Sequence, residues 1–414
     1  MQENEIVFPE DFFIREVSVN CEKIKELIEF RGFEKISLNF ERVLKCFPDT
    51  MLPLIAFLIR YQNEGVRFNL ISPRDASLEA TFVSANWCHL IDPKKFKSFE
   101  DIRRGRFSAR RFVDPAEQHD VVNGVIDRML RTTTFLERPH LRALEWAINE
   151  ITDNVLQHSK TTLGGVIQLT LKPNAKEIEF IISDCGIGIP YSLREGLANS
   201  WSDSRALEES VKEGVTSGAG QGNGLFGSIQ IAAESGGAFS INSGSAYLML
   251  SRDGRTKIST GPTVWPGTSI DCSINYSKPL VLERALRFNN TPHVPRDLLD
   301  SKYEAEEDDL TFELRNETSS IGSRVAGFEA RRKLENLIQF IRPNRVVLDC
   351  SQLSIMSSSF ADEFFAKLVV KYGEAGFSNL FRVSDLHDTN FLIIDRSVRQ
   401  RIGVSFNEII KLAD

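Results

Sequence analysis

The sequence predicts an α+β protein of several domains: a central α/β sandwich with mixed strand pairing, flanked by two small α/β domains. Three observations lead there. At 414 residues the chain is too long for one ordinary hydrophobic core. Short apolar strands alternate with helical periods over residues 12–91 and again over 310–414, the rhythm of small α/β layers. Between them the order becomes long helices, a strand pair, a glycine-rich loop, a helix and more strands, which is not a Rossmann alternation. The expected divisions are a small α/β domain at 1–110, the central domain at 115–280, a linker at 281–309 and a second small domain at 310–414.

In chain order, Phe12–Val19 and Lys35–Phe40 have strand patterns on either side of an amphipathic helix at Cys21–Phe33. Thr50–Glu64 is a helix, Val66–Ile71 a buried strand, and Asp75–Leu90 a further helix. Long helices follow at Glu117–Phe135 and Pro139–His158, with Pro139 suited to a first turn. Strands at Val166–Leu171 and Glu177–Ser183 precede a Ser-, Gly- and charge-rich stretch, Glu195–Gly220, then a helix at Leu225–Glu234 and strands through Ile274. Pro292, Pro295 and the acidic run Glu304–Asp309 mark the linker. The last domain reads strand Leu310–Asn316, helix Arg324–Ile341, strand Arg345–Ser351, helix Phe360–Ala375, strand Leu380–Val383 and helix Thr389–Arg401. Its rhythm resembles that of the first domain, as a diverged repeat would.

Composition narrows the function. Hydrophobic residues at 42% and charged residues at 26% describe a globular protein. A net charge of −7 argues against nucleic-acid binding over the whole surface. The one basic stretch is Lys94, Lys95, Lys97, Arg103, Arg104, Arg106, Arg110 and Arg111, which reads as a solvated face or a local binding patch. Six scattered cysteines lack metal-site spacing and fit reduced thiols of a cytoplasmic protein. The acidic N-terminus has no apolar core of a signal peptide, and the longest apolar run, Met51–Ile59, contains Pro53 and is too short to span a membrane.

Three short segments in fixed order carry chemistry. Glu150 and Asn154, four residues apart, share a helix face. The Asn154 carbonyl can complete the oxygen shell of Mg²⁺ without adding a charge that repels a triphosphate. The Glu150 carboxylate, one turn earlier, can orient and deprotonate a nucleophile. Read alone, the pair is an exposed polar stripe. Asp184 ends an apolar strand and can accept from an amino group such as adenine N6, with Gly186 and Gly188 letting backbone approach the ring. Read alone, this is a hairpin turn. Gly218, Gly220, Gly222, Asn223, Gly224 and Leu225 open a helix whose free N–H groups can cradle phosphates, or form only a flexible loop. No strand directly precedes the run and no Gly-Lys-Ser/Thr follows, so it is neither a Rossmann fingerprint nor a Walker loop.

Together these residues resemble the GHKL ATPases, which include gyrase, MutL, sensor histidine kinases and anti-sigma serine kinases. Glu150 with Asn154 looks like that family's N box, Asp184-x-Gly186-x-Gly188 its first glycine box, and Gly218–Leu225 its second. Trp265-Pro-Gly267-Thr268 is similar to its closing strand, in which the threonine approaches the adenine. The resemblance implies a Bergerat fold over about residues 115–276, ATP and Mg²⁺ as cofactors, and closest likeness to the sensor-kinase and anti-sigma-kinase branch. No counterpart of the distant catalytic lysine of gyrase and MutL stands out, and no histidine sits in a dimerisation helix ahead of the domain. A second resemblance covers Val346–Glu363, whose Ser-Phe-Ala-Asp-Glu wording looks like a STAS-like domain, and the similar rhythm of residues 1–110 makes a STAS-like first domain an expectation as well. In anti-sigma antagonists the helix-start serine is phosphorylated, and Ser358 matches it; Ser357 and Phe360 stand where antagonists commonly have aspartate and glycine. Otherwise the serines are a helix cap. Three functions follow as expectations: a nucleotide-dependent switch acting on a protein partner through STAS-like domains, as in bacterial signalling or phage defence, with a homo-oligomer as one form it can take; a serine kinase of a STAS-like domain; and a non-catalytic nucleotide-binding scaffold.

Overall fold

The computed structural model describes residues 3–99, 107–133, 136–218, 220–303 and 309–411. The elements of the first part are β1 (Glu5–Val7), α1 (Val17–Lys25, continuing as one π turn through Phe30), β2 (Lys35–Asn39), α2 (Pro48–Asn63), β3 (Arg67–Ile71), α3 (Ala76–Ser84) and α4 (Trp87–Ile91). The three strands form a parallel sheet in the order β1-β2-β3. The strand expected at Phe12–Val19 is instead a 3₁₀ turn and the start of α1. Val17, Cys21, Ile24 and Leu27 are buried at helical spacing, so packing overrides the strand preference of Val17 and Val19. The helix expected over Asp75–Leu90 is broken into α3 and α4 at Asn86, whose φ of 65° is left-handed.

The central part runs β4 (Arg110–Phe112), α5 (Pro115–Thr132), α6 (Arg138–His158), β5 (Gly165–Lys172), β6 (Glu177–Asp184), α7 (Ile189–Leu197), α8 (Asp203–Ser210), α9 (Gly224–Ser235), β7 (Phe239–Leu250) and β8 (Thr256–Asn275). Its sheet has the order β4-β5-β6-β8-β7 and every pair is antiparallel, not mixed as expected. The reason is connectivity: β5–β6 and β7–β8 are hairpins, and no parallel crossover is formed. The Ser-, Gly- and charge-rich stretch Glu195–Gly220 contains α8, which packs on β7 and is tied down by Asp203 accepting from Ser245 N at 2.8 Å.

Strand alternation gives the sheet two different faces. Ile182 and Asp184 look into a cavity. Ile181 and Cys185 look the other way, and with Val166 and Trp265 they join the hydrophobic core of the N-terminal layer. Helix α2 lies across β5, β6 and β8 on that side. Trp87, fully buried, donates from Nε1 to Gln168 Oε1 at 2.7 Å across the same junction. Residues 1–125 and 142–295 accordingly form one compact unit.

After β8 come α10 (Leu282–Ala285), β9 (Arg287–Phe288), β10 (Thr291–Pro292) and α11 (Leu298–Lys302), so much of the expected linker has structure. The second unit comprises residues 126–141 and 296–414, and the division falls inside α5 and α6. It holds β11 (Asp309–Glu313), α12 (Leu314–Glu317), α13 (Arg324–Ile341), β12 (Arg345–Asp349), α14 (Ser358–Ala361), α15 (Lys367–Leu380), β13 (Phe381–Ser384), α16 (Asp388–Ile402) and α17 (Phe406–Lys411). Its three-stranded sheet is parallel in the order β11-β12-β13, the same arrangement as the N-terminal sheet. Lys333 of α13 is fully buried between Asp127 and Glu317, which keeps that charge compensated.

Of the basic stretch, Arg103, Arg104 and Arg106 lie outside the described residues. Lys95 Nζ donates to Leu70 O at 3.0 Å and Arg111 to Leu163 O, so these two serve the fold. All six cysteines are buried and unbridged. Among the described residues no helix is long and apolar enough to cross a membrane.

Candidate functional site

A cavity of about 400 Å³ lies between α6, the pocket face of β6 and β8, and the loop that leads into α9. The helical period places Trp146, Glu150, Asp153, Asn154, Gln157 and His158 along its α6 wall. Glu150 and Asn154 are half-buried. Burial, and then the neighbouring Asp153, raise the Glu150 pKa above the ordinary glutamate value. Asp153 itself accepts from Gln118 Nε2 of α5 at 2.7 Å.

At the other end, Asp184 is 5% exposed and accepts from Gly186 N at 2.7 Å. Burial pushes its pKa up to about 7, against the pull of the Gly186 and Thr268 backbone N–H groups. Thr268 is its cross-strand partner on β8, and the Thr268 hydroxyl meets Ser243 Oγ at 3.0 Å. Gly186 is packed so closely that a Cβ would stand 2.4 Å from Ser159 O, just past the end of α6. Gly188, with φ 77°, is the residue before α7, and a Cβ there would meet Ser243 Oγ at 2.8 Å.

The glycine run divides in two. At Gly224 a Cβ would come within 2.6 Å of Glu150 Oε2 and 3.5 Å of Asn154 Nδ2, so the start of α9 rests directly on the N-box pair. Gly222 has φ 71° and would clash with the Gly214 backbone, while Asn223 Oδ1 accepts from Gly214 N at 3.3 Å. By contrast, a Cβ on Gly218 or Gly220 would meet nothing closer than 3.6 Å, so close packing does not demand glycine there.

Of the residues singled out by sequence, Glu150, Asn154, Asp184, Gly188, Gly220, Gly222, Asn223, Gly224, Leu225 and Thr268 line this one cavity. Gly186 stands behind Asp184, and Gly218 is off the wall. Ser358 belongs to the other compact unit. There Ser357 is the cap, accepting from Phe360 N at 3.1 Å, and Ser358 and Ser359 are exposed at the helix start.

Sequence reasoning missed several wall residues. His158 Nδ1 lies 3.3 Å from Ser217 Oγ, which is 2.8 Å from Ser192 Oγ, and this chain ties the glycine loop to α6 and α7. Burial lowers the His158 pKa. Trp146, Phe288 and His293 also line the cavity. Trp146 could have been found one turn before Glu150 on the same face; nothing local to residues 288–293 signals the site.

An antiparallel sheet backed by long helices, with a glycine-opened helix over a cavity, is the build of a nucleotide-binding sandwich. The family comparison says which one. Residues 140–265 match the histidine kinase-, DNA gyrase B- and HSP90-like ATPases, and residues 331–390 match a STAS-like domain of unknown function. The chain therefore carries a GHKL-type ATPase domain followed by a STAS-like domain. No curated protein is similar enough to the chain to match it.

The cavity walls fit a magnesium nucleotide. One end offers a buried acceptor, Asp184, and the middle offers a carbonyl on Asn154 beside the opening turn of a helix. Among the described residues no group of three or more His, Cys, Asp or Glu could cage a metal, so a bound Mg²⁺ would rest on Asn154, phosphate oxygens and water.

Proposed function

We propose that this chain is a magnesium-dependent ATPase that works as a nucleotide-controlled switch on a protein partner, through its STAS-like domain. The observation that carries this reading is the convergence of Glu150, Asn154, Asp184, Thr268 and the start of α9 on one cavity. Asp184 accepts from the adenine amino group, backed by Gly186 and Thr268. Free N–H groups at Asn223, Gly224 and Leu225 hold phosphate oxygens, and Asn154 holds the metal. Mg²⁺, when bound, neutralises charge on the transferring phosphoryl group. Glu150 takes the proton of the attacking nucleophile, and its raised pKa suits that work. Helix α6 carries both N-box residues and begins within the second compact unit, which gives the switch a covalent output.

A second reading, a serine kinase acting on a STAS-like domain, is favoured by the exposure of Ser358 and Ser359 at a helix start. Incubation with γ-labelled ATP and Mg²⁺ separates the two. The switch reading expects free phosphate. Label retained on protein and lost with Ser358→Ala would install the kinase, and neither product would leave a nucleotide-binding scaffold.

A further inference from the structure

A triphosphate brings several negative charges, yet among the described residues that line the cavity there is no lysine and no arginine. The wall instead carries three carboxylates, Glu150, Asp153 and Asp184. Among the described lining residues, the side chains able to become cationic are His158 and His293. His158 is held against Ser217, and burial lowers its pKa, which favours the neutral ring. That leaves His293.

His293 comes from outside the segment that matches the ATPase family. It follows a two-residue hairpin in which β9 pairs with β10 and Asn289 and Asn290, at φ 49° and 63°, make the left-handed turn such hairpins require. His293 N donates to Leu286 O at 2.7 Å, which closes the loop. The hairpin is docked at both sides. Phe288 packs on Trp146 with ring centroids 6.3 Å apart, and the His293 ring lies 5.7 Å from Phe288. Glu213, in the loop beside the cavity, accepts from Asn289 N.

Position along α6 says which end of the nucleotide this is. Ser159 touches Gly186 at the Asp184 end, and Glu150 lies nine residues back, about 13 Å at the helical rise. That is room for base, ribose and phosphates in an extended line. Trp146, and the hairpin upon it, lie one turn further on, past Glu150.

We infer that His293 recognises the terminal phosphate of ATP and so discriminates ATP from ADP. The inference rests on the reading that ATP fills this cavity. The imidazole donates a hydrogen bond to a γ-phosphate oxygen that ADP lacks, and carries a positive charge when both its nitrogens are protonated. A hydrogen bond to a charged group is worth about a tenfold change in affinity or somewhat more.

The test is calorimetric titration of the full chain with ATP and with ADP, both with Mg²⁺, for wild type, His293→Ala and His293→Lys. His293→Ala should weaken ATP about tenfold and leave ADP unchanged, and His293→Lys should restore the preference. Equal loss for ATP and ADP would mean that His293 only supports the hairpin, and would overturn the inference. So would an unchanged ratio. If His293→Ala melts early, His293→Gln, which keeps a donor without the charge, must still favour ATP over ADP for the inference to stand. Wild type that binds neither nucleotide would overturn the ATP reading itself, and this inference with it.

Discussion

In the proposed reading Asp184 accepts a hydrogen bond from the base, in surroundings that favour its neutral form. Its pKa, raised to about 7, sets a testable sign. Below that value the carboxyl binds a proton that an amino group must displace, so ATP affinity should fall by up to tenfold per pH unit as pH drops below about 7, and level off above it. Asp184→Asn should be weaker and flat with pH. A flat wild-type profile from pH 6 to 8 would remove the ionised carboxylate from base recognition. The N-box pair should divide the labour. Asn154→Ala should cost magnesium-dependent affinity, about tenfold or more by the strength of contacts to charged groups. Glu150→Ala should keep binding and lose turnover by roughly 10²–10⁴-fold, the range for a lost general base. Calorimetry and phosphate release measured on the same two variants check both halves; equal turnover at saturating ATP would make Glu150 a bystander.

Among the elements, α9 makes the sharpest demand. An added methyl at Gly224 presses on the end of the Glu150 side chain, which can swing aside, so Gly224→Ala should fold normally and yet turn over slowly. Gly220→Ala should both fold and turn over normally, since its Cβ has room. Unfolding curves alongside phosphate release would separate these; normal turnover in Gly224→Ala would mean that the contact is slack. The contrast also shows where sequence is readable. The glycines at 222 and 224 and the helix pair Glu150 and Asn154 were legible because local spacing dictates them. The helix Arg324–Ile341 was legible to the residue, since a Ser323 cap and a long apolar period mark it. Phe12–Val19 was misread because β-branched residues imitate a strand when their burial partners are unknown. Strand β1 escaped notice, being three residues with Ile6 alone buried. The hairpin at 287–292 lies within the expected linker and gives no local signal, because it is held by long-range contacts with Trp146 and Glu213.

For the whole molecule, the decisive contact within the first unit is the seam between α2 and the back of the central sheet. Trp87 sits in that seam, 1% exposed, against Phe82 and Gln168. Trp87→Ala should cost about 3–5 kcal/mol, the usual loss for a large buried ring. Because residues 1–125 and 142–295 pack as one unit, chemical denaturation should show that unit's single transition moved, with nucleotide affinity lost along with it. A separate early transition of the N-terminal residues, with the ATP site still intact, would show two independent folding units.

Strand β6 is buried along both faces, with the nucleotide cavity on one and the N-terminal layer on the other. A segment excised at 140–265 would carry Ile181, Cys185 and Trp265 into water with nothing laid over them, and such a sheet is a template for clumping. The ATPase core of this chain is therefore no portable cassette. A graft of this core onto another protein would have to bring the N-terminal layer with it to keep those side chains covered.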